Sequence, residues 1–230
     1  MSWKTTNNRY ILFLDIMGFK HLVASHKHSD VLKRMSSLIE VVNSLDNKTF
    51  GKKEKLLLRT SVFSDSIILI TNGSTINDAL HIQLSAMFIM EHCFENGIPI
   101  KGCLAYGKFT ADFENSLFFG QPLIDAYLLQ EEMKMYSIVI HHTYEAKLKD
   151  KKVLGKPFKN NHRWTEFNTP FSSGKAKHFH LNWATYLVMM GERKKEYFEN
   201  GLELFKNKMS GKHRSYFDFT SDFILKQLDD

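Results

Sequence analysis

Two aspartates interrupt segments that otherwise read as core. FLDIMGF (13–19) carries Asp15 directly after an apolar run, and VFSDSIILI (62–70) holds Asp65 between two apolar stretches. A carboxylate at the end of a buried strand is costly unless a cation or hydrogen-bond donors balance it. Two of them on adjacent strands suit a hard divalent ion, since Mg²⁺ and Mn²⁺ take oxygen ligands and keep several waters. The backbone carbonyl of Ile16 stands beside the first acid and can add a third oxygen. Two ions held in this way would activate a hydroxyl and stabilise a leaving pyrophosphate. The plainer reading makes both residues ordinary strand-end acids. Their joint position favours the metal.

The elements that must hold these acids follow from periodicity. Residues 9–17 read as a buried strand closed by Gly18. Residues 29–45 read as a helix capped by Ser29 or Asp30, with Leu32, Met35, Leu38, Ile39 and Val42 at helical spacing. Residues 55–63 and 66–72 form two strands of a hairpin with Asp65 at its tip. A long helix spans 74–97, capped by Ser74 or Thr75 and ended by Gly97. A strand over 98–109, a short strand over 116–120, a helix over 121–135, a strand over 137–142 and a short helix over 143–150 complete the order. The predicted fold class is α/β (α+β): a ferredoxin-like βαββαβ core, antiparallel at its centre and helix-backed on one face. Residues 1–150 form this core. Residues 151–230 are read as an accessory α/β segment of the same domain: loop over 151–178, strand over 179–189, helices near 191–209 and 217–229.

Composition narrows the class. With 230 residues, 43% of them hydrophobic, the chain can bury a sizeable core. Nineteen Phe against four Pro exclude a disordered chain. The formal charge of +6 fits an anionic ligand, but the basic residues are scattered rather than striped, so nucleic acid is not the expected partner. Cys93 and Cys103 lie in no CxxC pattern, so neither a zinc site nor a disulfide framework is expected, and the reducing cytoplasm is the predicted compartment. No apolar run approaches the roughly 18 residues of a membrane span. No Rossmann or P-loop motif occurs.

Taken in order, FLDIMGF, FSDSI (63–67), KGCLAYGKF (101–109) and FFGQPLIDAYLLQEE (118–132) resemble the landmarks of class III nucleotidyl cyclases. The closer resemblance is to the stand-alone bacterial pyrimidine cyclases of the Pycsar anti-phage system, and it covers roughly residues 9–142. It implies that Asp15 and Asp65, helped by the Ile16 carbonyl, bind two Mg²⁺ or Mn²⁺ ions. The motif residues around them, Phe13, Ile16, Met17, Gly18, Phe19, Ser61, Phe63 and Ser64, would line the nucleotide. It implies a homodimer with sites at the interface. It also implies conversion of UTP or CTP to a 3′,5′-cyclic monophosphate and pyrophosphate, the product acting on a separate effector protein.

Departures from that pattern bear on the base and on catalysis. Adenylyl cyclases of this class have an adenine-reading lysine four residues before the second metal aspartate; here it is Ser61. Their partner acid falls at Leu117, and their catalytic Asn and Arg fall at Ile124 and Leu128. These losses weaken an ATP reading and leave the transition-state charge to other residues. Arg59 shares a strand face with Ser61, Phe63 and Asp65 and could reach a phosphate or a base; otherwise it is an exposed strand charge. Lys101 could hold a phosphate as a point charge or simply be solvated at the surface. Lys48, Lys52, Lys53 and Lys55 form a basic loop, more often a solvated feature than a triphosphate contact. His21, His26, His28 and the His141–His142 pair lack metal-ligand spacing. Two other readings stay open: a non-catalytic cyclase-like module that binds a nucleotide or a protein, and a dinucleotide-forming enzyme, against which the lack of a GGDEF-like turn counts.

Overall fold

The strand that bears the first acid is apolar on both sides because it lies in mid-sheet with helices over each face. In the computed structural model, which describes residues 2–46, 58–150, 163–206 and 212–229, β1 (Thr6–Ile16) pairs antiparallel with β3 (Ser66–Thr71) on one side and β4 (Ile100–Asp112) on the other. Tyr10, Leu12, Leu14 and Ile16 point into the main core, while Ile11 and Phe13 point to the opposite face. β2 (Leu58–Phe63) pairs antiparallel with β3. The first four strands therefore run β2-β3-β1-β4, the ferredoxin-like order.

Helices α1 (Phe19–Ser25) and α2 (His28–Asp46) connect β1 to β2, and α3 (Ile76–Glu95) connects β3 to β4. The main core contains Leu38, Val42 and Leu45 of α2 and Ile82, Ala86 and Ile89 of α3. Leu32, expected on the apolar face of α2, is 58% exposed; Val31 is buried in its place. A capping box starts α3: the Thr75 hydroxyl accepts from the Asp78 amide, and the Asp78 carboxylate accepts from the Thr75 amide.

The second face is not bare, contrary to the expectation of helices on one side only. After β5 (Leu117–Phe119), helix α4 (Gln121–Glu132) crosses it, and Ala126 packs with Phe13, Cys103 and Met133. β6 (Ile138–Ile140) then pairs parallel to β4, and α5 (His142–Asp150) follows. Cys93 and Cys103 are buried and unbridged.

The last third differs most from expectation. Residues predicted as loop contain β7 (Trp164–Phe171) and the start of β8 (Gly174–Leu181). The predicted strand over 179–189 ends at Leu181, and α6 (Trp183–Met189) follows. β8 joins β6 through Val139 and His180, extending the sheet to β2-β3-β1-β4-β6-β8-β7. His180, fully buried, is held by Ser137 (3.0 Å) and Thr169 (2.6 Å), and burial pushes its pKa down to about 3. α7 (Lys195–Lys206) and α8 (Lys212–Asp229) close the chain. The α8 residue Phe223 fills the second-face core, and the Thr220 hydroxyl accepts from the Tyr136 amide at 2.8 Å.

The tight fit of β1 against β4 gives a test. A Cβ on Gly102 would lie 2.5 Å from both the Leu14 side chain and the Phe13 carbonyl oxygen. Gly102→Val is expected to destabilise the fold by roughly 1–3 kcal/mol in urea denaturation. Unchanged stability would contradict the described register.

Candidate active site

The two acids meet because β1 and the β2–β3 hairpin end at the same sheet edge. Asp15 is in register with Ser66 on β3 and with Lys101 on β4. The hairpin closes through two residues, Ser64 and Asp65, with Phe63 paired to Ser66. Ser64 takes a positive φ of 57°, the left-handed conformation that a two-residue turn demands at its first position and that glycine usually supplies. The hairpin tip is tied to β1 by the backbone: the Ile16 amide donates to the Asp65 carbonyl at 2.9 Å. The next amide, Met17, donates to the Pro99 carbonyl at 2.8 Å. Gly18 (φ 73°) then turns the chain into α1.

Alternation along β1 points Asp15 to the α4 side, with Phe13 and Ile11. Partial burial pushes its carboxyl up to about 6, and the neighbouring Asp65 adds to the rise. Lys101 opposes it, and Glu131 on α4 reinforces it. Lys101 is 2% exposed, so it is no surface lysine. Its ammonium donates to the carbonyls of Glu131 (3.3 Å) and Met133 (3.4 Å), the unsatisfied end of α4, where a cation is favoured by the helix dipole. Burial lowers its pKa, while Glu131 and Asp15 hold it up. Lys101 therefore links the C-terminus of α4 electrostatically to Asp15. The sequence singled out Lys101 but not Glu131 or this pair of carbonyls, because only the packing of α4 on β4 brings them together.

The remaining expected residues divide by location. Ile16, Met17, Gly18 and Phe19 adjoin Asp15 in the turn into α1, and Ser64 adjoins Asp65 in the hairpin. Phe63 is 84% exposed beside the hairpin tip, and Ser61 is half-buried two residues back on the same strand face. Phe13 lies beneath α4, its ring edge-on to Tyr127 at 5.7 Å. Arg59 is not brought to the acids. It sits level with Ile70 and Ile11, four residues up the sheet from Asp15, or roughly 13 Å at the rise of a strand. Its guanidinium lies over the rings of Trp3 and Phe113, 5.0 Å from each centroid. The basic loop with Lys48, Lys52, Lys53 and Lys55 lies outside the described residues.

The donor set fits a hard cation. Burial and the neighbouring Asp65 raise the cost of ionising Asp15, and the nearest ammonium is already engaged by helix carbonyls. Among the described residues no three His, Cys, Asp or Glu side chains gather as a metal cluster, so backbone and water oxygens would complete the shell, as Mg²⁺ prefers.

No family model and no curated protein matches the chain. Solved structures do. The monomeric guanylyl cyclase domain of the RhoGC fusion protein from the fungus Blastocladiella emersonii superposes with a TM-score of 0.53 at 14% identity, over 79% of this chain and 98% of that domain. The adenylyl cyclase CyaB of P. aeruginosa gives 0.51 at 12% identity, over 79% and 96%. A bacterial light-regulated adenylyl cyclase gives 0.55 at 10% identity, over 91% of this chain and 59% of that one. At such identities the likeness is one of fold: the chain has the class III nucleotidyl cyclase fold.

The elevated Asp15 pKa has a stability consequence. Its folded value near 6 lies above the ordinary 3.8, so protonation favours the folded state. The metal-free chain gains stability as pH falls through about 6, and the gain is complete below the ordinary value. Asp15→Asn is expected to stabilise the metal-free fold by roughly 2 kcal/mol at pH 8, an advantage that disappears by pH 4. Paired denaturation curves at the two pH values check this; an advantage independent of pH would contradict it.

Proposed function

We propose that the chain is a nucleotidyl cyclase that converts a pyrimidine nucleoside triphosphate, UTP or CTP, to its 3′,5′-cyclic monophosphate and pyrophosphate. The observation that carries the reading is the pairing of Asp15 with Asp65 at one edge of a cyclase-type sheet. Asp15, Asp65 and the Ile16 carbonyl would hold Mg²⁺ or Mn²⁺, which when bound supplies Lewis-acid activation of the ribose hydroxyl and neutralises phosphate charge. The residues' own contribution is positioning. The Ile16–Asp65 backbone bond fixes the spacing of the acids. Lys101 favours the ionised form of Asp15 and anchors the end of α4, so it acts in this reading as a positioning residue.

The base preference rests on what replaces the adenine-reading pair. Ser61 offers a short hydroxyl that can donate to or accept from a base edge, and Phe63 offers an exposed ring for stacking. Leu117, 50% exposed, carries no group that hydrogen-bonds a purine amine. Arg59 belongs in this reading on the base side of the strand, away from the acids.

A second copy of the chain would cover the exposed face of α4. Ile124, Tyr127 and Leu128 fall at i, i+3 and i+4 and are 51%, 46% and 56% exposed; Leu117 and Phe119 of the preceding β5 are exposed as well. This supports a homodimer with the site at its interface. By the same resemblance the product would be a cytoplasmic second messenger acting on a separate effector in anti-phage defence. No helix among the described residues is long and apolar enough to cross a membrane.

A second reading, a cyclase-like module that binds nucleotide without turnover, is favoured by the same helix. Ile124 and Leu128 stand where a catalytic amide and guanidinium would be, and neither can stabilise charge.

Product analysis separates the two. Purified protein with Mn²⁺ and each of ATP, GTP, CTP and UTP is expected to yield cyclic UMP or cyclic CMP by mass spectrometry, and Asp15→Asn or Asp65→Asn is expected to yield none. Cyclic AMP or GMP would keep the cyclase and overturn the base assignment. No product from a folded dimer would establish the second reading. The double change Tyr127→Glu, Leu128→Glu is expected to give a monomer in sedimentation without turnover; an active monomer would refute the interfacial site.

A further inference from the structure

A cavity of about 840 Å³ opens behind the Asp15 segment, on the helix side of the sheet. Ile16, Met17 and Gly18 form one wall; Asp15, Asp65, Lys101 and Ser61 do not line it. Its volume is that of a site for a small organic ligand.

The interior is aromatic by construction. Phe94 lies stacked on Phe205, with ring centroids 5.5 Å apart and planes 14° from parallel. It reaches this position because α7 carries a glycine beneath it: a Cβ on Gly201 would lie 2.2 Å from the Phe94 ring. Leu22 of α1 and Met35 of α2 also line the cavity. The mouth is basic and nitrogen-rich. Arg34 and the imidazoles of His21, His26 and His213 border it, and all four residues are exposed. Among the described residues the lining has a single acid, Glu95, whose carboxylate is 3.6 Å from Arg193. Arg34 has no ion pair among the described residues. A flat apolar interior under a rim of one guanidinium and three imidazoles, all able to donate hydrogen bonds, selects a ligand that is apolar at one end and anionic at the other.

We propose that this cavity binds a small aromatic anion, a ring system bearing a carboxylate, sulfonate or phosphate, and that occupancy alters metal binding on the far side of the Ile16–Gly18 wall. The binding claim stands apart from the enzymatic reading; the coupling rests on Asp15 and Asp65 as metal ligands.

The test uses the full chain and anilinonaphthalene sulfonate as the probe, followed by fluorescence. Saturable one-to-one binding is expected. Met35→Trp and Leu22→Trp, which fill the cavity from two different helices, are each expected to abolish it, with circular dichroism confirming that each variant is folded. Arg34→Glu is expected to weaken it about tenfold, and the uncharged N-phenylnaphthylamine to bind the wild type about tenfold more weakly. Binding that survives both tryptophan variants, or equal affinity for the uncharged analogue, would overturn the site. Mn²⁺ titration with and without saturating probe tests the coupling: at least a threefold change in affinity is expected, and no change would overturn it. If Mn²⁺ fails to bind even without probe, the metal reading fails while the site stands on the fluorescence result.

Discussion

Two like charges held at one sheet edge are the constraint around which this molecule is arranged. Left alone, Asp15 and Asp65 would repel, and a flexible loop would let them part. They cannot part because each is carried by a backbone ladder. β1 is paired along its length with β4 and from Ile11 to Asp15 with β3, and the Ile16 amide bonds the hairpin tip at 2.9 Å. Burial, with Asp65 beside it, raises the carboxyl of Asp15 to about 6. Apolar residues on both faces of β1 make that arrangement stiff, and stiffness is what a preorganised cation site needs.

Lys101 shows how the second face joins the site. A lysine near the start of a central strand should be expensive to bury, yet it is 2% exposed. The end of α4 supplies the compensation through two carbonyls, with Asp15 and Glu131 as nearby negative charges. The position of α4 on the sheet and the charge state of Asp15 are thus linked through one ammonium. The exposed stripe of Ile124, Tyr127 and Leu128 lies on the outer side of the same helix. A second copy docked there would press on an element already coupled to the acids.

Much of this was legible in the sequence, for reasons particular to certain segments. The run ending at Asp15 is apolar on every residue from Ile11 to Leu14, which only a strand covered on both sides requires. The capped apolar pattern of 74–97 left little choice but a helix, which the structure places at Ile76–Glu95. The ferredoxin-like order followed from that succession. The accessory strands were hidden because β8 is rich in lysines and histidines, and the buried His180 is hydrogen-bonded by Ser137 and Thr169 only once the strands have come together. β7 carries Pro170 and stands at the sheet edge, where a proline is tolerated but reads as a break. At the site, Asp15 and Asp65 were visible as acids out of place. The displacement of Arg59 onto Trp3 and Phe113 was not, since strand alternation gives a shared face and says nothing of distance along it.

The central claim is that Asp15 and Asp65 form one cation site. Its most direct test is electron paramagnetic resonance of Mn²⁺ titrated into the wild type, Asp15→Asn and Asp65→Asn at pH 8. The account predicts a saturable site in the wild type that each single substitution removes, because the ion is shared. Wild-type Mn²⁺ affinity in either variant would show that the two carboxylates do not share an ion, and would contradict the account.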